Sequence, residues 1–160
     1  MTAVARMKNA FKKFCAYLDG RQLKYQTEET ETGNFKITLS GKGKDLTMNF
    51  SIFFDIKNEL ISLLSQLPFD FEQEKVVEGA LACAIVSDNL REGSFDFNIQ
   101  NGRCFFRLTN TVKGMDVSKE LCEYIFEIAT YTVDKYNDKL FMVSKGAMTP
   151  QEFYDQIKGE

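Results

Sequence analysis

Residues Gly93–Asn110 read GSFDFNIQNGRCFFRLTN, and the way this stretch folds back decides the architecture. Asn101-Gly102 is the strongest short hairpin signal, because a type I′ turn needs positive φ at both central residues. A turn centred there sets Ile99 against Cys104, Phe97 against Phe106 and Phe95 against Leu108. Those apolar pairs share one face. The other face carries Asn98 with Phe105, Asp96 with Arg107, and Ser94 with Thr109. A slip of one residue would bury the charges. Pattern and turn chemistry agree, which predicts an antiparallel strand pair with one dry face.

Working outward, the same period of two recurs upstream. Phe35, Ile37 and Leu39 alternate with Lys36 and Thr38, and Leu46, Met48, Phe50, Ile52 and Phe54 alternate with Thr47, Asn49, Ser51 and Phe53. These read as two strands joined by the loop GKGKD. Leu23–Thr27 is a weaker strand, followed by the polar turn EETETGN. The segment NELISLLSQLPF (58–69) fits a helical stripe or a strand buried on both faces, and its pattern does not decide between them. Lys57-Asn58 can turn the chain into it, and Pro68 is expected to stop it.

Helices flank these strands. In residues 3–19, Val4, Met7, Phe11, Phe14, Cys15 and Leu18 recur at helical spacing, with Gly20 as the stop signal. Residues 71–89 predict a helix whose apolar face is Val76, Val77, Ala80, Leu81, Ala84 and Ile85. Residues 116–139 predict a long helix capped by Asp116 or Ser118, with an end that LFMVSKG leaves open. Thr149-Pro150-Gln151-Glu152 spells a capping box with Pro at the first helical position. The expected fold class is α+β in the order α-β-β-β-β-α-β-β-α-α, a mainly antiparallel sheet packed on helices, in a single domain spanning 1–160.

Composition bounds the chemistry. The chain has 160 residues, 44% of them hydrophobic, with 15 Phe and no Trp. It contains no His, which removes every Ser–His or Cys–His arrangement and every His-ligated metal site. An enzyme here would have to work with Asp, Glu, Lys, Tyr or Cys alone. The formal charge is −3, against the basic balance usual in nucleic-acid binding. The basic residues of the first helix (Arg6, Lys8, Lys12, Lys13) read as a solvated face rather than a polybasic contact. No apolar run is long enough to span a membrane, and the N-terminus lacks a signal-peptide core, so a cytoplasmic protein is expected. Cys15, Cys83, Cys104 and Cys122 are scattered without a CxxC pair and read as free, core-packing thiols.

Several motifs carry a resemblance. LPFDF leading into a helix, then GSFDF, NGRCFFRLTN, the long helix and TPQEF resemble the YbjN-like family, small bacterial proteins described as sensory transduction regulators. The resemblance covers roughly Met7 to Lys158 and is strongest from Leu67 onward. Its fold is similar to that of type III secretion chaperones, dimeric α+β proteins that hold other polypeptides. The resemblance implies that NELISLLSQLPF is a strand, and it supplies no catalytic residues to carry over. None of its motifs is a catalytic signature, and fold alone does not fix function.

Other signals have plainer readings. Glu28, Glu29 and Glu31 read as a solvated turn, and GKGK (41–44) as a hairpin turn, since a phosphate loop requires GxxxxGK[ST] before a helix. One surface signal stands out. Phe105 and Arg107 lie on the hairpin's outer side, Phe53 is out of phase with its strand's buried set, and Leu64 joins them if its segment is a strand. Either these side chains form a contact surface, or they pack beneath the last helix or a loop. The expected function is therefore a non-enzymatic protein-binding module, chaperone-like or regulatory, acting as a homodimer on an unidentified protein partner. It would use no cofactor, nucleic acid or membrane. The alternative is a small-molecule-sensing domain with an aromatic pocket between sheet and helices.

Overall fold

Alternation in the strand sequences becomes a sheet with one dry face. A computed structural model describes residues 1–160. Its elements are α1 (Ala3–Gly20), β1 (Gln26–Glu29), β2 (Phe35–Lys42), β3 (Thr47–Asp55), β4 (Leu60–Asp70), α2 (Val76–Asp88), β5 (Ser94–Asn98), β6 (Arg103–Thr111), α3 (Lys119–Ser144) and α4 (Pro150–Ile157). A short 3₁₀ turn, Gln73–Lys75, leads into α2. The strands form one six-stranded antiparallel sheet in the order β1-β2-β3-β4-β6-β5. This is the α+β order expected. No helix is long and apolar enough to cross a membrane.

The dry face holds Ile37, Ile52, Leu63 and Leu108 in one cross-strand row, and all four are buried. Helices α1 and α3 cover it, and α2 packs against β5. Phenylalanine supplies much of the filling. Phe14, Phe54, Phe106 and Phe153 are among the largest fully buried side chains. Phe11 stacks on Phe35 at 4.7 Å and meets Phe54 edge-on at 5.5 Å, which docks α1 onto β2 and β3.

The hairpin register differs from the expected one by two residues. Phe95 faces Phe106, and Phe97 faces Cys104. The connection is a four-residue loop, Ile99–Gly102, in which only Gly102 has positive φ, at 71°. A type I′ turn at Asn101-Gly102 would need Asn101 there as well. Side chains favour the longer loop: Asn98 Oδ1 accepts the Gln100 N–H, and Asn101 Oδ1 accepts the Arg103 N–H. Ile99 is left 63% exposed instead of facing Cys104. An even-numbered shift keeps every side chain on its expected face.

Three other local expectations need correction. Gln22, not Gly20, supplies the positive φ after α1, at 57°. Val4 lies on the exposed side of that helix. Pro68 does not stop β4, which runs to Asp70 through a bulge. Gln66 faces Phe105 and Asp70 faces Arg103, so Leu67, Pro68 and Phe69 share the space opposite Cys104. The bulge accommodates a residue with no N–H to donate.

The buried face of α2 is also not the expected one. Gly79, Ala82, Cys83 and Val86 are buried, whereas Val77 and Leu81 are 70% and 51% exposed. This helix is apolar on nearly every side, so its period could not choose a face. Side-chain size chooses instead. A Cβ on Gly79 would come within 2.6 Å of the Phe97 ring, so the small residues let α2 lie close to β5. Ser87 then closes part of the sheet edge: its Oγ accepts the Phe95 N–H at 2.8 Å and donates to the Phe95 carbonyl.

Candidate functional site

The sheet face opposite the helices carries the candidate residues. Helix α4 packs on α2 and α3, so it does not cover that face. The antiparallel register sets the geometry. Leu64 stands opposite Ser51 on β3 and Arg107 on β6. Phe53 is two residues beyond Ser51, and Phe105 is two residues before Arg107. Phe53, Leu64 and Phe105 are thus diagonal neighbours, at the ~7–8 Å spacing that large side chains bridge. Sequence reasoning named Phe53, Leu64, Phe105 and Arg107 separately, and the structure brings all four to one hollow of about 760 Å³.

Charged side chains steady the ends of this stripe. Lys36 is the cross-strand partner of Phe53, and its Nζ lies 5.3 Å from the ring centre. Asp96 is the partner of Phe105, and Arg107 Nε forms an ion pair with Asp96 Oδ2 at 2.9 Å. The same guanidinium sits 5.4 Å from the Phe105 ring centre. The Arg107–Asp96 pair is half exposed, so it orients Arg107 more than it stabilises the fold. Arg103, Gln66 and Asn98 form a polar rim at the hairpin end of the hollow. Sequence reading set Asn98 on the outer face but gave neither it nor Lys36, Gln66 and Arg103 a part in the site.

The β3–β4 turn anchors the stripe from behind. Glu59 takes φ 51°, and its backbone carbonyl accepts the Val112 N–H. Its carboxylate accepts the Arg6 Nε–H at 2.9 Å and the Gly114 N–H at 3.3 Å, and Arg6 Nη2 makes an ion-pair contact at 2.7 Å. The hydrogen-bonded Arg6 guanidinium holds the Glu59 carboxyl below its ordinary range, against the opposing effect of desolvation. A carboxylate with a depressed folded pKa stabilises above its unfolded pKa, about 4.3. That stabilisation is lost as pH falls through the folded value. Glu59→Gln is therefore expected to lower Tm by several degrees at pH 7, with the gap to wild type narrowing below about pH 4. Thermal melts from pH 7 to pH 3 check this. A gap of constant size would remove the Arg6–Glu59 pair as its cause.

The remaining reactive groups lie elsewhere. The Asp55 carboxyl is held low mainly by the Asn58 side-chain amide and serves the same turn. Burial pushes the Cys122 thiol up to about 11, which suits a packed core sulfur. No group of three or more His, Cys, Asp or Glu side chains is placed to hold a metal ion. The sheet–helix interface where an aromatic pocket was expected is occupied by core side chains such as Phe14, Phe50, Phe54 and Phe126. The hollow is on the outer face instead.

No family model matches the chain. No curated protein matches it. Among solved structures, YbjN from E. coli, described as a putative transcription regulator, superposes with a TM-score of 0.58. The match covers 85% of this chain and 93% of YbjN, at 11% sequence identity. The fold implied by the motifs from LPFDF to TPQEF is therefore present, and at this identity the likeness is one of architecture: the chain has the fold of YbjN.

Proposed function

We propose that the chain is a non-enzymatic protein-binding module, chaperone-like or regulatory, whose contact surface is the outer face of the sheet. The observation that carries this reading is the uncovered diagonal of Phe53, Leu64 and Phe105, with Arg107 over one end. Phe and Arg are favoured at protein interfaces, and an apolar strip inside a polar rim matches interface anatomy. A protein partner suits this face better than nucleic acid. Arg107 is paired with Asp96, Asp70 stands across from Arg103, and the whole chain carries −3. The described role of YbjN as a transcription regulator is compatible with a regulatory module, and the four free cysteines suit a cytoplasmic setting.

The test compares immobilised wild type with Phe105→Asp, after melts confirm that both are folded. A specific cellular protein captured by wild type should be lost by at least about tenfold in the variant. Equal capture moves the contact surface off this face. The same reading makes the chain a homodimer, supported by Val77 and Leu81 standing exposed on a helix that is apolar all round. Sedimentation should then give a dimer for wild type and a monomer for Leu81→Asp. A second reading, a small-molecule-sensing regulator, is favoured by the size of the hollow, which falls within the usual ligand range. A thermal shift with a metabolite, abolished by Phe105→Asp without any captured protein, would favour it.

A further inference from the structure

Two cysteines far apart in sequence meet in the core. Cys83 lies on the small-residue face of α2, and Cys104 lies on the dry side of β6. Their sulfurs are 3.2 Å apart. Cys83 is 3% exposed and Cys104 is fully buried. The separation exceeds a disulfide bond of ~2.05 Å by little more than an ångström. It is shorter than the ~3.5–4.0 Å at which even carbon atoms normally rest. Each thiol is the other's hydrogen-bonding partner. Close packing makes this possible, because Gly79 and Ala82 bring α2 down onto the hairpin.

We propose that Cys83 and Cys104 are a redox-sensitive dithiol, which a hydroperoxide oxidises to a disulfide strapping α2 to the strand that carries Phe105 and Arg107. The less buried Cys83 reacts first. Its sulfur attacks a peroxide oxygen, the O–O bond breaks, and the departing oxygen leaves as water with the thiol proton. The product is a sulfenic acid at Cys83. Cys104 sulfur then attacks that sulfur, an S–S bond forms, the S–O bond breaks, and a second water leaves with the Cys104 proton. Two thiols and one hydrogen peroxide give one disulfide and two waters.

The setting makes this a slow and selective reaction. Hydrogen bonding to Cys83 and burial push the Cys104 thiol well above its ordinary range, so Cys104 presents little thiolate for the second step at neutral pH. Oxidant must enter during local opening of α2. Once formed, the bond sits in a dry core and exchanges only slowly with solvent thiols. It also links positions 21 residues apart, which restricts the unfolded chain. Cysteines 15 and 122 stand on α1 and α3 and take no part.

The experiment exposes the full chain to hydrogen peroxide, alkylates the remaining thiols, and maps the peptides by mass spectrometry. The expected product is about 2 Da lighter than the reduced protein before alkylation, as loss of two hydrogens requires. A bridged peptide pair should contain Cys83 and Cys104, with Cys15 and Cys122 alkylated. Tm should rise by several degrees and fall back on reduction with dithiothreitol. Cys83→Ala and Cys104→Ala should each abolish the bridge and the Tm rise. Three results overturn the proposal. One is that both thiols persist at a peroxide dose that oxidises the partly exposed Cys15. Another is a bridge between other cysteines, and the third is a Cys83–Cys104 bridge formed only in denaturant.

Discussion

Phe54→Ala is expected to lower the free energy of unfolding by about 3–5 kcal/mol, the usual range for a buried phenylalanine. Phe53→Ala, one residue earlier, is expected to cost about 1 kcal/mol or less, since it lies on an uncovered face. The contrast follows from the pleat, which sends adjacent side chains to opposite faces. Phe54 is fully buried and meets Phe11 and Phe14 edge-on at 5.5 and 5.9 Å. Its strand partners are Phe35 and Ile61, so its removal opens a cavity where α1 docks on the sheet. Helix α1 cannot close that cavity easily, because Met7, Ala10, Phe14 and Leu18 already hold it in place. Phe53 has Lys36 over its ring and the hollow in front of it. Urea unfolding of the two variants checks the stability difference through their midpoints. Binding should show the opposite order: Phe53→Ala loses partner capture, whereas Phe54→Ala retains it under conditions where it is folded. Equal stability costs would mean that something covers the outer face, and the proposed contact surface would fail with them.

That contrast was legible in the sequence because period-two alternation reports faces directly. Phe53 breaks the alternation of Leu46–Phe54, and Phe105 breaks that of Cys104–Leu108, so both could be assigned to the outer side. Their adjacency was not legible, because it depends on which residues of β4 face those of β3 and β6. Strands β4 and β6 are not joined by a turn that could set that register, and even within the β5–β6 hairpin the Asn101-Gly102 pair proved to end a four-residue loop rather than form a two-residue turn. Faces survived the error because the shift was even. Helix α2 shows the opposite limit. Its apolar residues surround the axis, so periodicity carried no directional information, and the small volume of Gly79 and Ala82 decided what was buried. The bulge at Pro68 was hidden for a related reason: proline's missing donor marks a break in a ladder, which a strand can absorb if its neighbour keeps pairing. The Cys83–Cys104 contact was beyond sequence reasoning altogether, because it depends on the height of one helix above one strand.

Gly102→Ala is expected to cost about 2–5 kcal/mol, from two separable causes. The first is conformational: φ is 71°, and an L side chain there costs about 1–2 kcal/mol. The second is steric. A Cβ at this position would overlap the Phe71 backbone carbonyl, which cannot swing aside as a flexible side chain could. Phe71 is held there because its N–H donates to the Gly102 carbonyl at 2.8 Å, while the Gly102 N–H donates to the Asn98 carbonyl at 2.8 Å. Overpacking of this kind adds about 1–3 kcal/mol. Gly114→Ala separates the two causes. Gly114 has almost the same φ, 73°, but its Cβ would meet no atom within 4 Å, so it should show the conformational cost alone. The difference between the two variants measures the approach of Phe71 to the hairpin tip. The same contact bears on the candidate site, because Asp70, Asn98, Asn101 and Arg103 all line the hollow around this tip. Gly102→Ala should therefore weaken partner capture even under conditions where the variant is fully folded, while Gly114→Ala should not. Equal destabilisation by the two alanines would mean that the tip is free of Phe71, and that the rim of the hollow is not held in the form described.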